Sequence, residues 1–224
     1  MATKHASPVR RRHGSLLRLG EFFGLYVLAP VVMAVFIPPG LLFPVLFGVT
    51  AVGIVLLHVT EGFHWHDLLR GMDALRLPLV LGFGALTAVI GGLVVWVLVP
   101  EQRFGLLDHS PALFLLIAVL YPLLSALPQE IVYRALFFGR YGAFLPSGRI
   151  GLILNAALFS LAHLMYWSWV VALMSFAGGI VFAWAYERRR SFVLAVVLHS
   201  LAGVILFALG LGVFFYSGNV VRPF

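Results

Sequence analysis

The sequence has no cysteine and few charged residues. Without cysteine the chain forms no disulfide and offers no thiolate, so any metal would need histidine and carboxylate ligands. Charged residues make up only 10% of the 224 residues, whereas soluble domains carry about 25%. So few charges cannot cover a soluble protein of this size, and most of its surface is expected to face lipid. The composition therefore excludes a soluble globular domain.

Long apolar runs replace the missing charge: 62% of the residues are hydrophobic and the mean hydropathy is +1.06. These runs predict seven membrane spans of roughly 20 residues each, at about 22–38, 41–59, 77–99, 112–133, 150–166, 168–186 and 191–215. Residues 60–75 are predicted to form an amphipathic segment at the interface, with an eighth, short helix as the alternative. The expected fold class is all-α: a polytopic membrane helical bundle forming one integral membrane domain over 1–224.

The basic residues lie in short clusters between the apolar runs, which favours topology signals over nucleic-acid binding. With the N-terminus in the cytoplasm, thirteen of the fifteen lie on the cytoplasmic side, and only Arg103 and Arg222 lie outside. We therefore expect a multi-pass protein of the cell inner or plasma membrane. Residues 1–18 form a basic cytoplasmic tail, and the C-terminus lies outside. The expected partners are the lipid bilayer and a membrane-anchored substrate, without nucleic acid.

Polar residues cluster in three of the later spans. An ionisable group at membrane depth costs roughly 2.5–3.5 kcal/mol, so each one needs a partner or a function. Glu130 and Arg134 on the fourth span are one helical turn apart, which favours an ion pair. A shared polar cavity best explains why such groups recur on three helices, where neutral imidazoles could act as general base, oxyanion donor or metal ligand. The three runs are Gln129-Glu130-Ile131-Val132-Tyr133-Arg134, Phe159-Ser160-Leu161-Ala162-His163 with Asn155 a turn earlier, and His199-Ser200-Leu201-Ala202-Gly203.

Over about residues 124–206 these runs resemble the CPBP family, the CAAX-protease and bacteriocin-processing (ABI) group of intramembrane proteases. The first family motif is two glutamates, three residues and an arginine, and here it reads from Gln129 to Arg134. The second, Phe-x-x-x-His, is matched by Phe159 and His163. The third, His-x-x-x-Asn, has its histidine at His199 and Gly203 in place of asparagine. Three short motifs in order, each on a predicted span, indicate a CPBP-like catalytic core.

The resemblance implies an intramembrane endopeptidase that cleaves a membrane-anchored peptide or protein during maturation or C-terminal sorting. In the family, the first glutamate and the second-motif histidine activate a water, and the third motif steadies the oxyanion. The implied catalytic positions are Gln129, Glu130, His163 and His199, supported by Arg134, Asn155 and Phe159. We expect a mechanism without cofactor. Zinc is the alternative, because two histidines and a carboxylate are a possible ligand set.

Two departures from the family pattern matter. Glutamine cannot accept a proton at neutral pH, so Gln129 leaves the chain without its expected general base. The residue is an engineered Glu→Gln substitution, or it marks a natural inactive relative, or Glu130 takes over as base. The alternative function is a non-catalytic peptide-binding or bacteriocin-immunity protein. At the second departure, Gly203 removes a hydrogen-bond donor that a backbone N–H, Asn155 or a water could replace.

Overall fold

The computed structural model describes residues 8–224, with side chains from Leu16 onward. Regular structure over these residues is helical throughout, without a strand. Seven helices are long and apolar enough to cross a membrane, which confirms the all-α polytopic prediction. They are Leu16–Phe36, Pro39–His58, Leu77–Leu98, Pro111–Tyr141, Gly148–Tyr166, Trp169–Glu187 and Phe192–Leu209, called here the first to seventh spans. The predicted basic tail, 1–18, lies partly outside the described residues.

The spans are built from α-, π- and 3₁₀-helical segments. The α-helices are Pro8–Phe23, Ala29–Phe36, Leu42–His58, Leu77–Leu98, Gly105–His109, Pro111–Tyr121, Leu127–Glu130, Phe137–Tyr141, Gly148–Ala162, Trp169–Glu187, Phe192–Leu209 and Gly212–Phe215. The wider π-helical turns are Gly24–Leu28, Pro122–Ala126 and Ile131–Leu136. Short 3₁₀ turns are Pro39–Leu41, Trp65–Leu69, Met72–Ala74, Pro100–Gln102, Leu164–Tyr166 and Ser217–Asn219.

Three predicted boundaries were wrong. The fourth span continues to Tyr141 instead of ending near 133, because the polar residues that ended the apolar run are paired inside the protein and do not break the helix. The seventh span ends at Leu209 instead of 215, because Gly210 adopts a left-handed conformation (φ 106°) that closes the helix. The helix that contains the first span already begins at Pro8, earlier than the predicted 22. Between 60 and 75 the described chain forms two 3₁₀ turns, and no eighth span.

Local chemistry explains where the last two spans begin. The Ser168 hydroxyl accepts a hydrogen bond from the Val171 N–H (3.4 Å), and the Ser191 hydroxyl accepts one from the Leu194 N–H (3.1 Å). Each serine therefore caps the N-terminus of its helix. The sixth span then packs closely on the fifth, because a Cβ atom at Gly179 would lie only 3.0 Å from the Ala156 Cα. These contacts fix the helices that carry the second and third motifs.

The two ends of the bundle differ in charge. One end, the basic end, holds the connections 59–76, 142–147 and 188–191 and the ends of the adjoining spans. Its basic residues are Arg18, Arg70, Arg76, Arg140, Arg149, Arg188, Arg189 and Arg190. The opposite end, the mouth end, holds 37–38, 99–110 and 210–224, with Arg103 and Arg222. An aromatic core that includes Tyr26, Phe137 and Tyr141 fills the interior toward the basic end.

Candidate active site

A fully buried carboxylate links the fourth and seventh spans. The Glu130 side chain has no solvent exposure, and its Oε1 accepts a hydrogen bond from His199 Nδ1 at 2.9 Å. Its Oε2 lies 3.1 Å from Arg134 Nε, one helical turn along the same span. One carboxylate is thus shared between an imidazole and a guanidinium. The two charges predicted to pair on this span are adjacent and buried, as ions at this depth require.

Arg134 is held from the fifth span. Its Nη1 donates to Asn155 Oδ1 and to the Tyr133 carbonyl (3.2 Å), while Asn155 Nδ2 donates to that same carbonyl (2.6 Å). The Phe159 ring lies 4.8 Å from the guanidinium carbon, which adds a cation–π contact. Asn155 and Phe159 therefore position Arg134, and through it Glu130.

The two histidines both pack against the ring of Phe159. His163, the residue that ends the helix Gly148–Ala162, places Nδ1 2.8 Å from the Phe159 carbonyl. Donation to that carbonyl puts the proton on Nδ1 and leaves Nε2 as an acceptor. The Phe159 ring centroid lies 4.8 Å from that of His163 and 5.5 Å from that of His199, which also stacks on Phe182 at 4.7 Å. The second and third motifs therefore meet around Phe159.

A cavity of about 800 Å³ has Gln129, His163 and His199 in its wall. This volume lies within the roughly 300–1,000 Å³ typical of ligand pockets. Gln129 Nε2 donates to the Ser125 hydroxyl at 3.0 Å. Glu130, Arg134 and Asn155 are not in the wall, and none of the described residues that line it is Asp, Glu, Lys or Arg. The structure therefore divides the predicted residues into a cavity group and a buried group behind it.

Sequence reasoning missed Tyr121, which also lines the cavity. A Cβ atom at Gly203 would overlap Cε1, Cζ and the hydroxyl oxygen of Tyr121, so the tyrosine ring occupies the space beside this glycine. Its centroid lies 6.1 Å from that of His199. Tyr121 lies in an apolar run with no motif around it. The one sequence signal for it is Gly203, where glycine replaces the family's asparagine and leaves room for another side chain. Asn155, the other side chain considered for the lost donor, is engaged with Arg134 instead.

The arrangement of the described histidine and acidic side chains bears on the zinc alternative. Over the described part of the chain, no group of three or more His, Asp or Glu side chains is placed to hold a metal ion. Glu130 touches His199, while the nearest polar partner of His163 Nδ1 is the Phe159 carbonyl. The mechanism without cofactor stays a prediction.

Fold and site together define a polytopic helical membrane protein whose mostly apolar cavity has one amide, Gln129, and two imidazoles, His163 and His199, in its wall. Residues 111–205 match the family model of Rce1-like type II CAAX prenyl endopeptidases. The match begins with the fourth span and includes all three motifs, and it confirms the resemblance to the CAAX-protease family that those motifs carry. This is a family of proteases. Comparisons with curated proteins and with solved structures gave no match.

Proposed function

We propose that the chain is an intramembrane endopeptidase in architecture, with Gln129 at the water-activating position, so that as written it binds its substrate without cleaving it. One observation carries the proposal: Gln129, His163 and His199 share a cavity wall that has no carboxylate among the described residues. Glu130 is a poor replacement base, because it is fully buried outside that wall, hydrogen-bonded to His199 and paired with the Arg134 charge.

The proposed substrate is anchored in the membrane. The cavity wall is mostly apolar and reaches Phe43 on the second span and Leu113 and Leu116 on the fourth, each about half exposed. In a bilayer these side chains face acyl chains. An apolar anchor can therefore lie against the cavity's side while the peptide next to it enters. A soluble peptide would gain nothing from this surface.

Peptide hydrolysis needs a group that takes a proton from water as the water oxygen bonds to the carbonyl carbon. The same group then delivers that proton to the amine nitrogen as the C–N bond breaks. Glutamine can do neither, whereas glutamate has the same length and can do both. We assign water orientation to His163. His199 steadies the carbonyl oxygen as a doubly protonated ring: Nδ1–H donates to Glu130, whose carboxylate balances the charge, and Nε2–H donates to the carbonyl oxygen.

The test is Gln129→Glu. General acid–base catalysis contributes typically about 10²–10⁴-fold, so the variant should convert an anchored reporter substrate to a product that mass spectrometry detects. Gln102→Glu is the matched control, because it places the same carboxylate on the cavity rim. Adding His163→Ala to Gln129→Glu should abolish the product. Equal cleavage by Gln129→Glu and the chain as written would show that position 129 is not the base.

Treatment with a metal chelator distinguishes the carboxylate–imidazole mechanism from the zinc mechanism. A mechanism that relies on a carboxylate and imidazoles predicts that Gln129→Glu cleaves equally well with and without a chelator. The zinc alternative predicts that the chelator abolishes the gained activity. The readout is product yield after the purified variant has been dialysed against the chelator and then against added zinc.

The second candidate function is a non-catalytic membrane protein that holds a peptide, such as an immunity protein. The cavity wall favours it, because among the described residues it can bind a peptide but has no carboxylate, and position 129 lacks the proton carrier that the family mechanism needs. The decisive result is that Gln129→Glu yields no product while the reporter co-purifies with both Gln129→Glu and the unchanged chain. Peptide binding is then the function, and the protein has a protease fold without protease activity.

A further inference from the structure

The cavity opens toward one end of the bundle. Its rim includes Gln102 and Ser110 from the connection 99–110, and Gly210, Ser217 and Asn219 from the segment after the seventh span. None of the described residues in the connections 59–76, 142–147 and 188–191 lines it. Substrate therefore reaches the imidazoles from the mouth end or from the adjoining side of the bundle.

Direct contacts place the rim segments together at the mouth end. The Phe104 N–H donates to the Leu209 carbonyl at 3.2 Å, which ties the connection 99–110 to the end of the seventh span. The Arg222 guanidinium donates to the Ile37 carbonyl, and the Phe224 ring lies 5.4 Å from that of Trp167. The final segment thus crosses from the seventh span to the turn between the first two.

The opposite end is closed. Arg140 donates to both carboxylate oxygens of Glu21, at 2.8 and 3.0 Å, and to the Thr60 hydroxyl at 3.1 Å. Tyr141 and Phe137 beneath this group have no solvent exposure. A peptide at the basic end would meet paired charges over a packed aromatic core.

Charge indicates which side of a membrane each end faces. Basic residues in short connections and at span ends are retained in the cytoplasm. Among the residues whose side chains the structure describes, the basic end carries eight arginines against two at the mouth end. The mouth end therefore faces away from the cytoplasm.

We infer that the site takes its substrate from the non-cytoplasmic side: an exported protein held by an apolar helix, with its scissile segment at the outer end of that helix. This inference rests on the proposed function for the cleavage itself. The matched family is named for CAAX prenyl endopeptidases, and a prenylated CAAX tail presented from the cytosol would arrive at the closed end. The substrate class is thus a membrane-anchored exported protein.

Single cysteines test the direction of access cleanly, because the chain has none of its own. The variants are Asn219→Cys on the rim, Ser175→Cys inside the cavity and Ser147→Cys in an exposed connection at the basic end. A charged methanethiosulfonate reagent that does not cross membranes is applied to intact cells. Asn219→Cys and Ser175→Cys should be labelled, and Ser147→Cys should be labelled only after permeabilisation. Labelling of Ser147→Cys alone would overturn the inference.

Reporter substrates then test the side of cleavage in the Gln129→Glu background. Each reporter has one apolar helix and a randomised eight-residue segment, placed at the outer or at the cytoplasmic end of that helix. Only the outer library should yield product. Product from the cytoplasmic library alone would overturn the inference and leave the proposed protease intact. If rim and cavity are labelled from outside but neither library is cut, the proposed protease fails while the direction of access stands.

Discussion

Arg134 is the residue on which the buried group depends. It contacts Glu130, Asn155 and the Tyr133 carbonyl with no solvent exposure, so its removal strands a carboxylate in the interior. Breaking a buried pair in this way costs about 3–5 kcal/mol. Arg134→Ala should therefore lower the thermal unfolding temperature in detergent sharply, and Arg134→Lys should lower it less, because the charge is kept while the planar fork is lost.

The matched control for Arg134→Ala is Arg149→Ala, which removes an exposed arginine at the basic end. Surface substitutions of this kind usually change stability by no more than about 0.5 kcal/mol. An unchanged unfolding temperature for Arg134→Ala would mean that the buried pair is not structural and would make Glu130 a candidate base.

Gly203 and Tyr121 are predicted to be energetically coupled. Gly203→Ala forces a Cβ atom into the Tyr121 ring and should destabilise the protein by about 1–3 kcal/mol, the usual cost of overpacking. In a Tyr121→Ala background the added cost of Gly203→Ala should vanish. Gly92→Ala is the control, because a Cβ atom there meets no atom within 4 Å. Thermal unfolding of the single and double variants measures the coupling, and equal costs of Gly203→Ala in both backgrounds would contradict it.

For individual residues, the sequence could predict those that belong to motifs but not their partners far along the chain. The pairing of Glu130 with Arg134 follows from helical spacing alone. Glu21, by contrast, lies next to the predicted start of the first span, where its sequence context indicates no partner. It binds Arg140, 119 residues away. No local pattern encodes such a distance, and only the packing of the spans brings the two together.

The Glu21–Arg140 pair joins the first and fourth spans, and Thr60 ties the end of the second span to it. Both side chains are mostly buried, with 18% and 10% exposure, so water screens their attraction only partly. Residues in direct contact show coupling energies of about 0.5–3 kcal/mol. A double-mutant cycle with Glu21→Gln and Arg140→Gln should give a value in that range from unfolding in detergent. A coupling near zero would mean that the spans are held by apolar contacts alone.

Among the helices, the number of spans was easier to predict than their ends. Apolar length decides whether a helix crosses the bilayer, and composition reports it directly. The predicted fourth span is too short because hydropathy stops at charged residues. In the protein Glu130 and Arg134 pair with each other, and they hydrogen-bond to His199 on the seventh span and Asn155 on the fifth. Its two π-helical turns also escaped prediction, since no residue type marks them reliably. Such turns are frequent at functional sites.

For the whole molecule, the sequence indicated a helical bundle with polar groups meeting inside it, and the structure has this arrangement. It could not indicate that the groups separate into a cavity wall and a buried support, because both lie at similar spacing on the same helices. Nor could it show that the cavity opens at one end, since the rim combines segments from distant parts of the chain.

The segment 210–224, which crosses the mouth end, also affects the order in which the cavity is assembled during synthesis. Spans enter a membrane in the order of synthesis, from the N-terminus onward. His199 and the rim residues Ser217 and Asn219 come last, although the first and second spans already contribute to the same cavity. A nascent chain with only six spans in the membrane therefore lacks one part of the cavity wall, and its cavity is open on that side. The compartment that can isolate a peptide forms when the last helix arrives and Arg222 reaches Ile37.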